Sequence, residues 1–166
     1  MRLKGLRSTN PIAVGDAVQF IKSKDGTGSI DSIEERRNYI VRKSVNLSKE
    51  THIVASNLDR AYLIVTIAKP RTSSGFIDRF LVTAEAYGIP TTIVFNKFDL
   101  LSSDKEAMLR QEELEGIYTR VGYETMRVSA ESGLGIKEFR EELNSGINLL
   151  SGHSGVGKST IINMLI

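Results

Sequence analysis

A glycine-rich segment near the end of the sequence has the pattern of a phosphate-binding loop. Residues 152–159 read Gly-His-Ser-Gly-Val-Gly-Lys-Ser, directly after an apolar run and before a helical run. Such glycines let backbone amides turn toward a β-phosphate. We predict that Lys158 is the catalytic cation at the β- and γ-phosphates and that Ser159 ligates Mg²⁺. The other nucleotide contacts predicted here are Gly152, His153, Ser154, Gly155, Val156, Gly157 and Thr160.

A second polar segment, Asn96-Lys97-Phe98-Asp99, follows the apolar run 91–95. A carboxylate at Asp99 can accept from both N1–H and the exocyclic amine of guanine, whereas adenine lacks this pair of donors. The Asn96 amide can brace the loop or the base, and the Lys97 stem can cover the ring plane. Four residues of this type alone are more often a helix-capping turn. Beside a phosphate loop they predict a guanine-reading site.

The pair Ser129-Ala130 follows a third apolar run, 124–128. It is about 30 residues after the base-reading segment and about 20 before the phosphate loop. We predict that it supplies a backbone N–H to guanine O6 and a hydroxyl that steadies the Asp99 loop.

All three segments follow apolar runs, so strands must position them. Runs at 61–68, 91–95, 124–128 and 147–150 alternate with helical stretches at 77–87, 105–116 and 135–143. This alternation predicts an α/β fold with a parallel sheet. Ligands bind at the carboxyl ends of such strands, where the three segments lie.

The first 54 residues have a different pattern, with short apolar alternations broken by turn residues. This pattern predicts a small antiparallel barrel of the oligonucleotide-binding (OB) type, which needs about five strands. Three or four are legible. We therefore predict a barrel domain over 1–55 and a nucleotide-binding domain over 56–166.

Charge is distributed unevenly between the two parts. The first 50 residues contain ten Lys and Arg against six Asp and Glu, whereas the whole chain has a net charge of +2. A basic front piece suggests contact with a polyanion such as nucleic acid. Ordinary solvated surface explains the same charges. The basic residues considered for this role are Arg2, Lys4, Arg7, Arg36, Arg37, Arg42 and Lys43.

Composition excludes several other classes of protein. The sequence contains no cysteine, so it has no disulfide framework and no thiolate-bound metal, which favours a cytoplasmic location. No apolar run approaches the roughly 18 residues of a membrane span, so we expect a soluble protein. His52 is interpreted as a structural residue, His153 as a loop filler, and Asp78 and Arg79 as surface residues.

Together these residues resemble the RsgA family, also called YjeQ, of circularly permuted GTPases. The base-reading motif precedes the phosphate loop here, which reverses the usual GTPase order. Ser154-Gly155 also differs from the Pro-Asn of the related YlqF family. The resemblance spans nearly all of the sequence and is carried by the segments 14–18, 57–59, 77–81, 96–100 and 152–159.

The resemblance implies a monomeric GTPase that binds GTP or GDP with Mg²⁺ and acts with the small ribosomal subunit and its rRNA in late maturation. It also implies a switch segment, an Asp-x-x-Gly motif and a C-terminal zinc domain, none of which can be assigned to residues of this sequence. We expect the Zn²⁺ ligands to lie outside it.

Two alternatives remain open at this stage. One is a non-catalytic RNA-binding protein that uses guanine nucleotide only as a structural ligand. The other is a permuted GTPase that acts on the large ribosomal subunit. Multiple-turnover phosphate release separates the first from the leading interpretation, and the co-sedimenting subunit separates the second.

Replacing Asp99 by Asn should move base preference toward xanthine nucleotides, because the amide offers a donor where guanine needs an acceptor. Loss of a charged bidentate contact should lower GTP affinity by roughly a hundredfold. Equilibrium binding of GTP and XTP to Asp99→Asn measures both effects. Unchanged GTP affinity would show that Asp99 does not contact the base.

Overall fold

The computed structural model describes residues 11–43 and 51–166, and side chains are described for these ranges except at positions 42, 43 and 51. The chain divides into two compact units, Met1–Leu58 and Asp59–Ile166. This division lies three residues after the boundary predicted from sequence. Arg2, Lys4 and Arg7 lie outside the described residues, as do the side chains of Arg42 and Lys43.

The first unit contains two antiparallel strand pairs. β1 pairs with β2 and β3 pairs with β4, each with one irregularity in register. Asp25 closes the β1–β2 turn, where its Oδ1 accepts from the Thr27 backbone N–H at 3.0 Å and from the Thr27 hydroxyl at 2.7 Å. The strands are β1 (Val18–Lys22), β2 (Gly28–Ile33), β3 (Tyr39–Lys43) and β4 (Thr51–Ser56).

These four strands form two separate two-stranded sheets within the described residues. A single parallel bridge joins Val14 to Ala55 of β4. The antiparallel character predicted for this region is therefore present, and closure into an OB-type barrel stays a prediction.

A buried ion pair organises the first unit. Arg36 donates to Asp16 in a bidentate arrangement, Nε to Oδ1 and Nη2 to Oδ2, both at 2.6 Å. The Ser56 hydroxyl and the Ala13 backbone N–H also donate to this carboxylate, at 2.6 and 2.8 Å. The hydrogen bonds from Arg36 lower the pKa of Asp16 to about 2, although burial opposes the shift. Arg36 is thus engaged inside the unit, which argues against the RNA contact considered for it.

The second unit is a parallel four-stranded sheet in the order β7-β6-β5-β8, covered by helices. Its strands are β5 (Arg60–Val65), β6 (Thr91–Phe95), β7 (Glu124–Arg127) and β8 (Asn148–Ser151). Its helices are α1 (Ser74–Ala86), α2 (Lys105–Arg120), α3 (Ile136–Glu142) and α4 (Lys158–Leu165). The parallel α/β sheet predicted from sequence is confirmed.

Alternate residues of β5 supply two apolar cores, one on each face of the sheet. Tyr62 and Ile64 pack with Phe139 of α3 and with residues of α4. Leu63 and Val65 pack with residues of α1 and α2 on the other face. Since both faces of the strand are buried, its sequence is continuously apolar, as parallel sheets require.

Helix α2 extends four residues beyond its predicted end. Asp104 caps its amino end, where the Asp104 Oδ1 accepts from the Ala107 backbone N–H at 3.0 Å. Its last turns bury Glu115 and Tyr118, and the Tyr118 hydroxyl donates to Asp78 of α1 at 2.9 Å. Asp78, interpreted from sequence as a surface residue, therefore joins two helices.

None of the helices in residues 11–43 and 51–166 has both the length and the apolar character that crossing a bilayer requires.

The ion pair of Asp16 should make stability sensitive to acid. The pKa of Asp16 is about 2 in the folded unit against 3.8 for the free side chain, so its stabilisation is complete above pH 5 and is lost as pH falls toward 2. The loss should reach about 2 kcal/mol. Asp16→Asn should remove a comparable stability at pH 7, measured by urea unfolding.

Asp25→Asn is the matched control, because Asp25 is an exposed carboxylate in the same unit. If both variants lose the same free energy of unfolding, the buried Asp16–Arg36 pair does not stabilise the unit more than an exposed carboxylate does.

Candidate functional site

The predicted site residues lie in loops at one edge of the second unit's sheet. All four strands are parallel, so the loops after β5, β6, β7 and β8 leave from their carboxyl ends on the same side. The loop after β5 was not predicted from sequence to take part. Its Lys69 and Pro70 lie against the loops that were.

Asn96 joins the base-reading segment to both other segments. Its side chain is almost fully buried, and Nδ2 donates to the Val156 carbonyl at 2.8 Å. Its Oδ1 accepts from the Ala130 backbone N–H at 3.3 Å. Of the two roles considered for Asn96, the structure shows the loop brace. The N–H predicted for guanine O6 is therefore directed at Asn96.

Lys97 links the same segment to the phosphate loop a second time and to the loop after β5. Its backbone is left-handed, with φ of 64°. Its Nζ donates to the carbonyl of Gly155 at 2.8 Å and to that of Lys69 at 2.6 Å. The amino group is thus satisfied by main-chain oxygens, which leaves the methylene stem as the part of Lys97 that can cover a ring.

Asp99 is held by the residue predicted to steady it. The Ser129 hydroxyl donates to Asp99 Oδ1 at 2.5 Å and accepts from the Ser132 backbone N–H at 3.1 Å. Ser129 is fully buried, whereas Asp99 is partly exposed. Ser129 therefore orients the carboxylate of Asp99, which remains partly exposed.

The side chain of Lys158 folds back onto the phosphate loop and hydrogen-bonds to it. Lys158 Nζ donates to the carbonyls of Gly152 and His153 at 2.8 and 2.7 Å. Val156 is fully buried in the apolar core beside α3 and α4, which anchors the middle of the loop. Ser154, Ser159 and Thr160 are exposed.

His153 stacks on Phe76 of α1, with ring centroids 3.7 Å apart and planes at 31°. The imidazole therefore has an aromatic partner, which was not foreseen when the residue was interpreted as filler. No pattern in the sequence linked Phe76 to the loop, because the two are 77 positions apart.

The segments after β6 and β7, with Gly157 and Thr160, line an open cleft of about 390 Å³, a volume within the usual range for small-molecule sites. Leu100 and Glu131 line it although they were not predicted. Each is the next residue after a predicted one, which is the signal that would have found them. The complete lining is Asn96, Lys97, Asp99, Leu100, Ala130, Glu131, Gly157 and Thr160.

Metal-binding clusters are lacking in the part of the chain that the structure describes. There, no three His, Cys, Asp or Glu side chains are grouped so as to hold an ion.

Comparison with known proteins identifies the family. The family model described as RsgA GTPase matches residues 33–166. The chain belongs to the RsgA GTPase family. The resemblance inferred from the motifs is thereby confirmed.

Curated relatives and solved structures agree with membership of the RsgA family. The small ribosomal subunit biogenesis GTPase RsgA of Bacteroides fragilis is 53% identical over 99% of this chain and 53% of its own length. The Flavobacterium johnsoniae protein of the same name is 50% identical over 99% of this chain and 51% of its own length. The chain thus spans about half the length of the curated relatives it matches.

Two crystal structures are similar to the fold. YjeQ from Thermotoga maritima superposes with a TM-score of 0.76 and 36% identity over 93% of this chain and 51% of that one. YloQ, described as a circularly permuted GTPase, superposes with a TM-score of 0.67 and 27% identity over 98% of this chain and 53% of that one. The permuted order predicted from the motifs is therefore supported by a structural relative.

Gly157 lies against the Asn96 side chain, where the phosphate loop meets the base-reading segment. Its φ is +96°, and a Cβ there would lie 2.4 Å from Asn96 Nδ2. Gly157→Ala should displace Asn96 and lower GDP affinity at least tenfold, because both the phosphate loop and the base-reading segment shift. Equilibrium titration with a fluorescent GDP analogue measures the change.

Gly122→Ala controls for backbone strain alone, since φ is +100° there and nothing lies within 4 Å of an added Cβ. Equal effects of the two substitutions on GDP affinity would contradict the packing explanation.

Proposed function

We propose that the second unit binds guanine nucleotide in the cleft between Asp99 and Gly157. The observation that carries this proposal is the Asn96 carboxamide, which links the base-reading segment to the phosphate loop through Val156 and to the loop after β7 through Ala130. The two loops are thereby held at a fixed spacing. A base at one end and phosphates at the other need such a spacing.

Asp99 selects the base in this proposal. Its carboxylate, oriented by Ser129, accepts from guanine N1–H and from the exocyclic amine. Because O6 of the base would compete with Asn96 for the Ala130 N–H, the long 3.3 Å bond there is the one expected to yield. The Lys97 stem covers one face of the ring.

The phosphates occupy the loop that Lys158 closes. Its ammonium donates to two carbonyls, and a β- and γ-phosphate pair supplies stronger, charged acceptors for the same group. Gly152 lets the loop pack closely on β5, because a Cβ at this position would lie 2.3 Å from the Ile64 carbonyl. The amides of the loop and the first turn of α4 then face the anion.

Mg²⁺ fits the donor set at the start of α4. The Ser159 hydroxyl is exposed beside Lys158, and an oxygen ligand next to phosphates is what Mg²⁺ requires. When bound, the ion neutralises charge that develops on the phosphates. Lys158 shares that role from the protein side.

At the level of the whole protein, we extend this to a GTPase of small-subunit maturation. The curated relatives carry that name, and their identity of 50% or more covers nearly the whole chain. GTP hydrolysis, a cytoplasmic location, a monomeric state and a zinc domain elsewhere in the protein are parts of this proposal. The first 55 residues would form an OB-type domain that contacts rRNA, and residues 56–166 a permuted GTPase domain.

Arg37 is the exposed member of the two sequence candidates for RNA contact whose side chains the structure describes, Arg36 and Arg37. Its side chain is exposed, although its Nη2 donates to the Asn57 carbonyl at 3.0 Å. Arg36 is excluded from that role by its pairing with Asp16.

Measuring phosphate release from the full-length protein, with and without purified ribosomal subunits, tests the proposal. We expect multiple turnover of GTP that small subunits accelerate and large subunits do not. Lys158→Ala should reduce turnover by about a hundredfold or more, since a preorganised cation at the transferring phosphoryl group is lost. Lys137→Ala, which removes an exposed lysine of α3 outside the cleft, is the matched control.

Two results would each support one of the alternative functions considered from the sequence. A single round of binding without release of phosphate supports a structural nucleotide in an RNA-binding protein. Acceleration by large subunits instead of small ones supports the other class of permuted GTPase.

A further inference from the structure

Phe98 lies between the lysine and the aspartate of the base-reading segment, and the proposed function gives it no role. It begins a short 3₁₀ turn, Phe98–Leu101, directly after the left-handed Lys97. Its backbone N–H donates to the Val128 carbonyl at 3.2 Å. Its ring is partly buried against the core beneath α1 and α2. The orientation of this ring is therefore tied to the backbone that carries Asp99.

The guanidinium of Arg127 lies over the Phe98 ring, with its central carbon 5.2 Å from the ring centroid. This geometry is a cation–π contact. Arg127 ends β7, two positions before Ser129. The Arg127–Phe98 contact therefore runs beside the Ser129–Asp99 hydrogen bond and connects the same two loops.

A buried carboxylate on α2 fixes the guanidinium. Arg127 Nε donates to Glu115 Oε1 and Oε2 at 2.8 and 2.9 Å, and its Nη2 donates to Oε2. Gln111, one helical turn earlier, donates to Glu115 Oε1 at 3.0 Å and is itself almost fully buried. The guanidinium is thus held by Glu115, whose carboxylate is in turn held by Gln111.

We infer that Arg127 and Glu115 are positioning residues for base recognition. They hold the Phe98 ring and, through it, keep the Asp99 carboxylate at the distance and angle that guanine requires. This inference rests on the proposed role of Asp99 in reading guanine. By this inference α2 contributes to base specificity, although none of its residues lines the cleft.

A second arginine–glutamate pair in the same unit lies at the opposite end of the strands and serves as a comparison. Arg60 at the start of β5 pairs with Glu124 at the start of β7, and its Nη1 also donates to the Thr92 hydroxyl at 2.8 Å. That pair lies at the amino ends of the strands, away from the loops. Its loss should affect stability without affecting base selection.

The test compares GDP with IDP, which lacks the exocyclic amine. Each is titrated in competition with a fluorescent GDP analogue bound to the full chain, and the ratio of the two dissociation constants is recorded. The parent should favour GDP by about tenfold or more. Arg127→Met and Glu115→Gln should narrow this preference by about threefold to tenfold, because Asp99 is no longer held in place.

Arg60→Met is the matched control, since it makes the same substitution in the other ion pair. It should leave the ratio at the parent value even where it lowers the melting temperature. A general loss of stability weakens GDP and IDP binding together and does not change their ratio. Arg127→Lys, which keeps a cation near the ring, should recover part of the preference.

Phe98→Leu keeps the inference testable if Arg127→Met does not fold, because it removes the ring and leaves the ion pair intact. It should narrow the ratio as Arg127→Met does. A parent that favours GDP, with variants at positions 98, 115 and 127 that keep the full preference, overturns the positioning role and leaves the proposed function standing. A parent that binds GDP and IDP equally overturns guanine reading by Asp99 and the positioning role with it.

Discussion

The geometry of the cleft depends on one buried carboxamide. Asn96 donates through Nδ2 to the Val156 carbonyl and accepts through Oδ1 from the Ala130 N–H. Only one orientation of the amide satisfies both partners, because a flip would set donor against donor and acceptor against acceptor. Gly157 leaves no room beside it. This side chain is nearly inaccessible to water, and together with the Lys97–Gly155 hydrogen bond it fixes the spacing of the loops.

The sheet makes this contact possible by burying both faces of β5. Its alternate side chains fill one core beneath α3 and α4 and another beneath α1 and α2. Burial of this kind, at roughly 25 cal/mol per Å² of apolar area, dominates the free energy of folding. Val156 belongs to the first core, so the phosphate loop is anchored by the same packing that stabilises the sheet. Rigidity at the cleft is a consequence of the core.

The sequence was informative where the signal is local. Continuous apolar runs predicted the parallel strands, and β6 was predicted at the bounds observed, Thr91–Phe95. The loops that follow the strands were identified because parallel topology brings carboxyl ends to one edge. Contacts between side chains that are far apart in the sequence produce no recognisable sequence pattern. The stacking of Phe76 on His153 and the pairing of Arg36 with Asp16 depend on the tertiary fold, and no spacing rule connects them.

The cleft is assembled largely from side chains that donate to main-chain carbonyls. Asn96, Lys97 and Lys158 all donate in this way, to Val156, to Gly155 and Lys69, and to Gly152 and His153. A carbonyl is present whatever residue carries it, so substitution on the acceptor side leaves these bonds available unless it alters the backbone. Each of the three donors can be lost by a single codon change. Among the acceptors, exposed His153 can vary in sequence and keep its carbonyl, whereas Gly152, Gly155 and Lys69 are restricted by their positive φ.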